Sequence, residues 1–135
     1  KIIETLGSQA VVASVDYVEK NKNFYVCDHF GKTVTNIKLK DFLSEVEKLK
    51  VGEIFLQNIT NDGSAKGFDI NIQDEISSLS IPVILCSGAG SEDHFVEASK
   101  IKNISALAAG NYFNFKELSY PNVKKKLKEL NIFVR

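Results

Sequence analysis

The chain has 135 residues, and its 17 Lys and Arg side chains balance 17 Asp and Glu side chains, so its formal net charge is zero. This length suits one domain, which would bury roughly two-thirds of the surface that the unfolded chain exposes. The zero balance argues against a nucleic-acid-binding protein, because such proteins carry a basic patch for the phosphate backbone. Hydrophobic residues make up 44% of the chain and charged residues 25%, which excludes a disordered or fibrous protein.

Membrane and metal-binding classes are also disfavoured. No apolar run approaches the roughly 18 residues of a membrane-spanning helix, and the first residues lack the apolar centre of a signal peptide. Cys27 and Cys86 stand alone, without CxxC or Cys/His spacing, so we expect neither a metal site nor a disulfide. We interpret both thiols as small buried hydrophobes in a reducing compartment. The composition therefore predicts a soluble cytoplasmic protein.

The first residues have a helical pattern. Ile2, Ile3 and Leu6 fall on one helical face before Gly7, which suits a helix that ends in a glycine cap. The chain contains no Met. We expect residues 1–6 to be the tail of a helix in a longer protein, with removal of an initiator Met as the alternative.

Short apolar runs then alternate with amphipathic stretches. The runs are rich in β-branched residues and predict buried strands. They cover residues 10–15, 53–59, 83–86 and 104–109. Apolar residues at helical spacing predict helices over residues 39–49, 70–79, 91–101 and 121–130. The strict alternation indicates four β-α units with a parallel sheet and right-handed crossovers.

One connection is longer than the others. Between Asp16 and Leu39 lie two stretches in which polar and apolar residues alternate, at residues 24–28 and 33–37, around His29-Phe30-Gly31-Lys32. This pattern predicts a β-hairpin inserted after the first strand. We expect the whole of residues 1–135 to form a single domain.

Chemically distinctive residues cluster where the predicted strands end. Asp16 follows the first strand, and glycine-containing loops at residues 61–69, 87–90 and 110–111 follow the others. Loops at the carboxyl ends of parallel strands carry the active site in such folds. Glycine loops expose N–H groups that suit a phosphate. Tight turns need glycine anyway, but two adjacent loops of this kind favour a phosphorylated small-molecule ligand.

The candidate acid–base residue is Asp16, because a carboxylate at a strand end can transfer protons to a ligand there. A cap for the following turn is the alternative interpretation. His29 and His94 have no Ser or Cys partner at a recognisable spacing, so no catalytic triad is visible and we interpret both as surface residues.

Several motifs resemble one family. The run GSQAVV at residues 7–12, followed by Val15 and Asp16, resembles the fifth strand of the cyclase subunit of imidazole glycerol phosphate synthase, the HisF family. The resemblance continues through VGEI at 51–54, DGSAKGFD at 62–69, SGAG at 87–90 and residues 106–115. The family is a (β/α)8 TIM barrel, typically of about 250 residues. The resemblance implies an α/β fold that is the C-terminal half of this barrel, strands five to eight.

The resemblance also implies roles for individual residues. Asp16 matches the catalytic aspartate of the fifth strand, a general acid–base in ring closure. Glu53 matches a gate glutamate at the N-terminal mouth of the barrel, where ammonia from a glutaminase subunit of the HisH type enters. The residues that match the substrate phosphate-binding loops are Asp62, Gly63, Ser64, Gly88, Ala109 and Gly110.

The implied activity is that of a cyclase, a lyase within an amidotransferase complex. It joins ammonia to a phosphoribulosyl-formimino substrate and forms imidazole glycerol phosphate in histidine biosynthesis, without a metal or organic cofactor. The family's other catalytic aspartate belongs to the first strand and is absent here, so we expect the chain alone to be inactive.

The chain departs from the family in two loops. Ser87 replaces a glycine, which places a Cβ where the backbone approaches the ligand, and Gly110-Asn111 replaces a turn with a serine. Gly110-Asn111 and Tyr120-Pro121 are closer to paralogues that accompany sugar-amidating enzymes of surface-polysaccharide clusters. The alternatives are an ammonia-channelling partner of such an enzyme and a non-catalytic phosphate-binding half barrel.

A half barrel leaves one face of its sheet and two strand edges uncovered. We expect the strands at residues 10–15 and 104–109 to form these edges. An uncovered apolar face of this size predicts association with the missing N-terminal half or with a second copy as a homodimer.

Overall fold

The computed structural model describes residues 1–28 and 31–134. His29 and Phe30, which the sequence places at the tip of the hairpin, lie outside the described residues. The strands are β1 Val12–Lys20, β2 Asn23–Asp28, β3 Thr33–Lys38, β4 Glu53–Asn58, β5 Val83–Cys86 and β6 Ile104–Ala108. The helices are α1 Ile2–Leu6, α2 Leu39–Lys48, α3 Gln73–Ile76, α4 Glu92–Ala98, α5 Asn111–Phe115 and α6 Ser119–Glu129, with 3-10 turns at Ser8–Ala10 and Ile70–Ile72.

The strands form one six-stranded sheet in the order β3-β2-β1-β4-β5-β6. β1, β4, β5 and β6 are parallel neighbours, and helices follow them along the chain. β2 and β3 pair antiparallel beside β1. The predicted α/β half barrel with an inserted hairpin is therefore confirmed.

The first strand is longer than predicted. Its burial alternates beyond Asp16, since Val15 and Tyr17 are both buried, and residues 17–20 pair with β2. The expectation that this strand forms a sheet edge is wrong, because the hairpin extends the sheet and β3 is the outermost strand. β6 is the other outer strand, as expected.

The helices differ from the prediction mainly near the C-terminus. α1 ends at Leu6, and Gly7 follows it with a positive φ of 81° but a ψ of 154°, so glycine ends the helix without the left-handed helical cap that the sequence suggested. α5 was not expected, and α6 begins at Ser119, so Pro121 lies in the first turn. Proline is accepted there because the N–H groups of the first turn have no partner within the helix.

The core lies between the parallel strands and the helices. Ile54, Leu56, Val83 and Leu85 are fully buried on this face. The residues that alternate with them point to the opposite face, where side chains are half-buried or exposed.

No described helix is long and apolar enough to cross a membrane.

Candidate functional site

The loops that follow β4, β5 and β6 meet around a cavity of about 250 Å³. Five of the residues predicted to bind phosphate line it: Asp62, Gly63, Gly88, Ala109 and Gly110. Ser64, predicted with them, does not line this cavity; its hydroxyl accepts a hydrogen bond from the backbone N–H of Lys66 at 3.3 Å. The structure thus brings together three loops that lie far apart in the sequence.

Backbone contact between two of these loops sets the shape of the cavity. The N–H of Gly67 donates to the carbonyl of Gly88 at 2.8 Å. Gly88 has a φ of 91°, and a Cβ on it would lie only 2.0 Å from the carbonyl oxygen of Gly67. Only glycine fits at this position, because a side chain would push the two loops apart.

A buried hydrogen-bonded network holds the loop after β4. The side-chain oxygen of Asn58 accepts the backbone N–H groups of Thr60, at 3.0 Å, and Asn61, at 3.1 Å. The amide nitrogen of Asn58 donates to Oδ2 of Asp69 at 2.9 Å. The hydroxyl of Tyr17 donates to the same oxygen at 3.3 Å.

This network connects β1 to the cavity. Burial, and to a lesser extent the Asp69 carboxylate, raises the pKa of Tyr17 far above its usual value, so the phenol remains a neutral donor. The Asn61 side chain in turn donates to the carbonyl of Gly67 at 3.1 Å. Tyr17 directly follows Asp16, and the network therefore fixes the end of β1 relative to the glycine loops. Asp69 belongs to the DGSAKGFD motif, whereas no sequence pattern predicted a role for Tyr17 or Asn58.

Asp16 lies half-buried on the uncovered face of the sheet and does not line the cavity. Its neighbour in β4 is Gln57, whose neighbour in β5 is Cys86. Burial and then the Asp16 carboxylate raise the pKa of the Cys27 thiol, and burial raises that of Cys86. Three of the four parallel strands, β1, β4 and β5, thus present a carboxylate, an amide and a neutral thiol in one row near their carboxyl ends.

Two other predicted residues lie elsewhere. Glu53 begins β4 at the amino-terminal end of the parallel strands, where it lies half-buried beside Val12 of β1. His94 is half-buried rather than exposed, and its Nδ1 accepts the backbone N–H of Gly90 at 3.1 Å. The interpretation of His94 as a surface residue is therefore wrong, because it holds the loop after β5.

A further pair was missed by the sequence analysis. α5 and the residue after it bring Tyr112 and Lys116 to the cavity. Lys116 donates to Glu92 of α4 at 2.9 Å and to the hydroxyl of Tyr112 at 3.2 Å. Within the described residues, no group of three or more His, Cys, Asp or Glu side chains is placed to hold a metal ion.

Comparison with known proteins gives one consistent result. The model of the histidine biosynthesis protein family matches residues 1–119. The imidazole glycerol phosphate synthase subunit HisF of Hydrogenobaculum sp. (strain Y04AAS1) is 41% identical over 132 residues, which cover 96% of this chain and 52% of that protein. HisF of Sulfurisphaera tokodaii is 40% identical over 133 residues, 98% of this chain and 53% of the relative. HisF of Staphylococcus aureus (strain JH9) is 34% identical over 135 residues, which cover 98% of this chain and 54% of that protein. The chain spans about half the length of the curated relatives it matches.

Proposed function

Because the chain belongs to the histidine biosynthesis protein family, we propose that it is the C-terminal half of an imidazole glycerol phosphate synthase cyclase. In this proposal residues 1–135 form one (β/α)4 domain with strands five to eight of the barrel, and residues 1–6 are the tail of the preceding helix. The observation that carries it is the meeting of three strand-end loops around one cavity, with Asp16 at the same end of the sheet.

The cavity binds the phosphate group of the substrate. Backbone N–H groups of Gly63, Gly88 and Gly110 are the proposed donors, since glycine permits a close approach of the backbone to an anion. Asp62 and Ala109 complete its wall. Ser64 fixes the first loop through its bond to Lys66. This site orients the rest of the substrate toward the uncovered face of the sheet.

Asp16 acts there as a general acid–base. Ring closure with ammonia requires proton transfers, and a positioned carboxylate is typically worth 10²–10⁴-fold in rate. The products are imidazole glycerol phosphate and an aminoimidazole carboxamide ribotide. The reaction as proposed uses no metal or organic cofactor and takes place in the cytoplasm.

Ammonia reaches this face from the amino-terminal ends of the parallel strands. Glu53 is half-buried at the start of β4, a position that suits a gate at the N-terminal mouth of a barrel. A glutaminase subunit of the HisH type docks at that mouth and releases the ammonia. A Glu53→Gln variant of the reconstituted enzyme tests this gate. Its turnover with glutamine is compared with its turnover with free ammonia.

The uncovered face takes four further β-α units, from the N-terminal half of the cyclase or from a second copy of this chain. Val12 on this face is 49% exposed and Phe55 is half-buried, so apolar surface is available for such an interface. Sedimentation equilibrium over a hundredfold concentration range, alone and with an added N-terminal half, measures both associations. A monomer under both conditions would contradict this part of the proposal.

Reconstitution tests the activity. The chain is mixed with the N-terminal half of the Hydrogenobaculum HisF relative, and turnover of the phosphoribulosyl substrate with ammonia is followed. We expect no turnover by the chain alone, turnover by the mixture, and a loss of at least about 100-fold in the Asp16→Asn mixture. Assembly of the two halves without turnover, or turnover that survives Asp16→Asn, would contradict the proposed activity.

The loop after β6 favours a second candidate function. Gly110 is the N-cap of α5, and the Asn111 side chain lies 3.2 Å from the position that a Cβ on Gly63 would take. The Gly110-Asn111 turn resembles that of the ammonia-channelling partners of sugar-amidating enzymes, which is what supports this candidate. A reconstituted barrel that binds a glutaminase but does not cyclise would support this candidate, and phosphate binding alone would indicate a non-catalytic half barrel.

A further inference from the structure

Two lysines approach the same turn of α4 from different sides. Glu92 pairs with Lys116 at 2.9 Å, and the adjacent Asp93 pairs with Lys126 of α6. Only Lys116 lines the cavity, and among the described residues that line it no other side chain is cationic. The two pairs therefore offer an internal comparison between a lysine at the cavity and a lysine at the surface.

Lys116 is held in place from two sides. Besides its bond to Glu92, its ammonium group donates to the Tyr112 hydroxyl at 3.2 Å and lies 5.0 Å from the centre of that ring. The hydrogen bond from Lys116 lowers the pKa of Glu92 to about 2, and the bond to Glu92 raises the pKa of Lys116. Both groups are charged at neutral pH, so the rim carries an ammonium group that is already paired with the Glu92 carboxylate, while the Asp62 carboxylate also lines the cavity.

A second, independent feature of the cavity points to a polar ligand. Ser87 lines the cavity and is only 3% exposed, yet within the described part of the chain its hydroxyl has no nitrogen or oxygen partner and meets only the Cys86 thiol, a weak hydrogen-bonding group. A buried hydroxyl without a strong partner destabilises the folded state. Ser87 also has a φ of 90°, which non-glycine residues rarely adopt. An acceptor oxygen in the cavity would give this hydroxyl a strong partner.

Building on the proposed function, we infer that Lys116 is a side-chain ligand of the substrate's phosphate monoester, with the Ser87 hydroxyl as a second donor. Backbone N–H groups bind an anion through partial charges only. A lysine adds a point charge that favours the dianion, because charge-assisted hydrogen bonds are shorter and stronger than neutral ones. Glu92 holds Lys116 at the rim and competes with the phosphate for it.

This competition separates a ligand role from a structural role. If Lys116 binds phosphate, removal of the Glu92 charge frees the ammonium group and strengthens binding, whereas removal of Lys116 weakens it. If the pair only stabilises the loop between α5 and α6, both substitutions weaken binding alike. Lys126→Gln is the matched control, because it breaks the neighbouring pair with Asp93 outside the cavity.

The experiment titrates the complete chain, labelled with ¹⁵N, with inorganic phosphate and with glycerol 3-phosphate, and uses glycerol as the uncharged control. The amide shifts of Gly63, Gly88 and Gly110 give the affinities. We expect Lys116→Gln to weaken binding about tenfold, Glu92→Gln to strengthen it, and Lys126→Gln to leave it unchanged. Inorganic phosphate and glycerol 3-phosphate should respond alike, because the phosphate group is what Lys116 binds.

Equal affinities of the parent chain and Lys116→Gln would overturn the inference and leave the backbone site intact. Weaker binding by Glu92→Gln would overturn it too, and this variant keeps the test valid if Lys116→Gln does not fold. No amide shift in the parent chain would overturn both this inference and the proposed phosphate site. If the reconstituted barrel shows no cyclase turnover but phosphate binding still depends on Lys116, the proposed activity is contradicted and the inference about Lys116 stands.

Discussion

The two faces of the parallel sheet are packed very differently. On the face that the helices cover, Ile54, Leu56 and Leu85 are fully buried. On the opposite face Val12 is 49% exposed, and polar Asp16 lies half-buried. The polar side chains of Asp16 and Gln57 lie on this second face, near the carboxyl ends of the strands. The helix-covered face therefore contributes most of the buried apolar core, and the other face leaves polar and apolar side chains accessible near the strand ends where the proposed site lies.

Substitution of adjacent residues in β4 gives the largest expected difference. Leu56 is fully buried against the helices, and Phe55 is half-buried on the uncovered face. Leu56→Ala should lower the free energy of unfolding by about 2–5 kcal/mol, because it leaves a cavity in the core. Phe55→Ala should lower it by less than half as much. Urea unfolding of both variants measures this, and equal losses would show that the uncovered face is packed as tightly as the core.

Two glycines of the cavity sharpen the comparison at the carboxyl edge. A Cβ on Gly88 would lie 2.0 Å from the Gly67 carbonyl oxygen, whereas a Cβ on Gly110 would have nothing within 4 Å. Gly88→Ala must also place a side chain at positive φ, which costs about 1–2 kcal/mol. We expect Gly88→Ala to abolish phosphate binding and lower stability, with Gly110→Ala close to the parent chain in stability. Calorimetric titration and thermal unfolding test this; a stable Gly88→Ala variant that binds phosphate would contradict the observed contact.

The sequence was informative where structure is local. β5 has the bounds that its apolar run predicts, because a strand buried on one face and half-buried on the other is dominated by Val, Ile and Leu. The glycine loops were also predictable, since strand-end turns require special backbone conformations. The convergence of Gly63, Gly88 and Gly110 then followed from parallel strand order alone.

The missed features depend on contacts between distant residues. Tyr17 and Asp69 are 52 positions apart, and Lys116 and Glu92 are 24 apart. Neither pair has a periodicity or spacing that local patterns could reveal. The continuation of β1 past Asp16 was missed for the same reason, because it depends on pairing with the hairpin.

The buried network of Tyr17, Asn58 and Asp69 should give an effect of intermediate size. Tyr17→Phe removes the donor to Asp69 but keeps the ring, which is fully buried. We expect a loss of about 1 kcal/mol in the free energy of unfolding, the usual contribution of one hydrogen bond. Tyr25 of β2 is the control: it is half-buried, and Tyr25→Phe should change stability by less than about 0.5 kcal/mol. Equal effects of the two substitutions would mean that the Tyr17 hydroxyl contributes nothing through Asp69.

The smallest expected effect concerns the rim of the cavity and its pH dependence. The bond from Lys116 lowers the pKa of Glu92 from 4.5 to about 2, so the folded state binds this proton less tightly than the unfolded state. The resulting stability is therefore fully present above pH 4.5 and is lost as the pH falls toward 2. Because the Lys116 side chain is 46% exposed, solvent screens the pair and keeps its contribution to stability small. Urea unfolding of the parent chain and of Glu92→Gln between pH 7 and pH 3 should give a small difference that decreases below pH 4.5. A difference that grows on acidification would mean that Glu92 is protonated more readily in the folded state, contrary to a carboxylate held by Lys116.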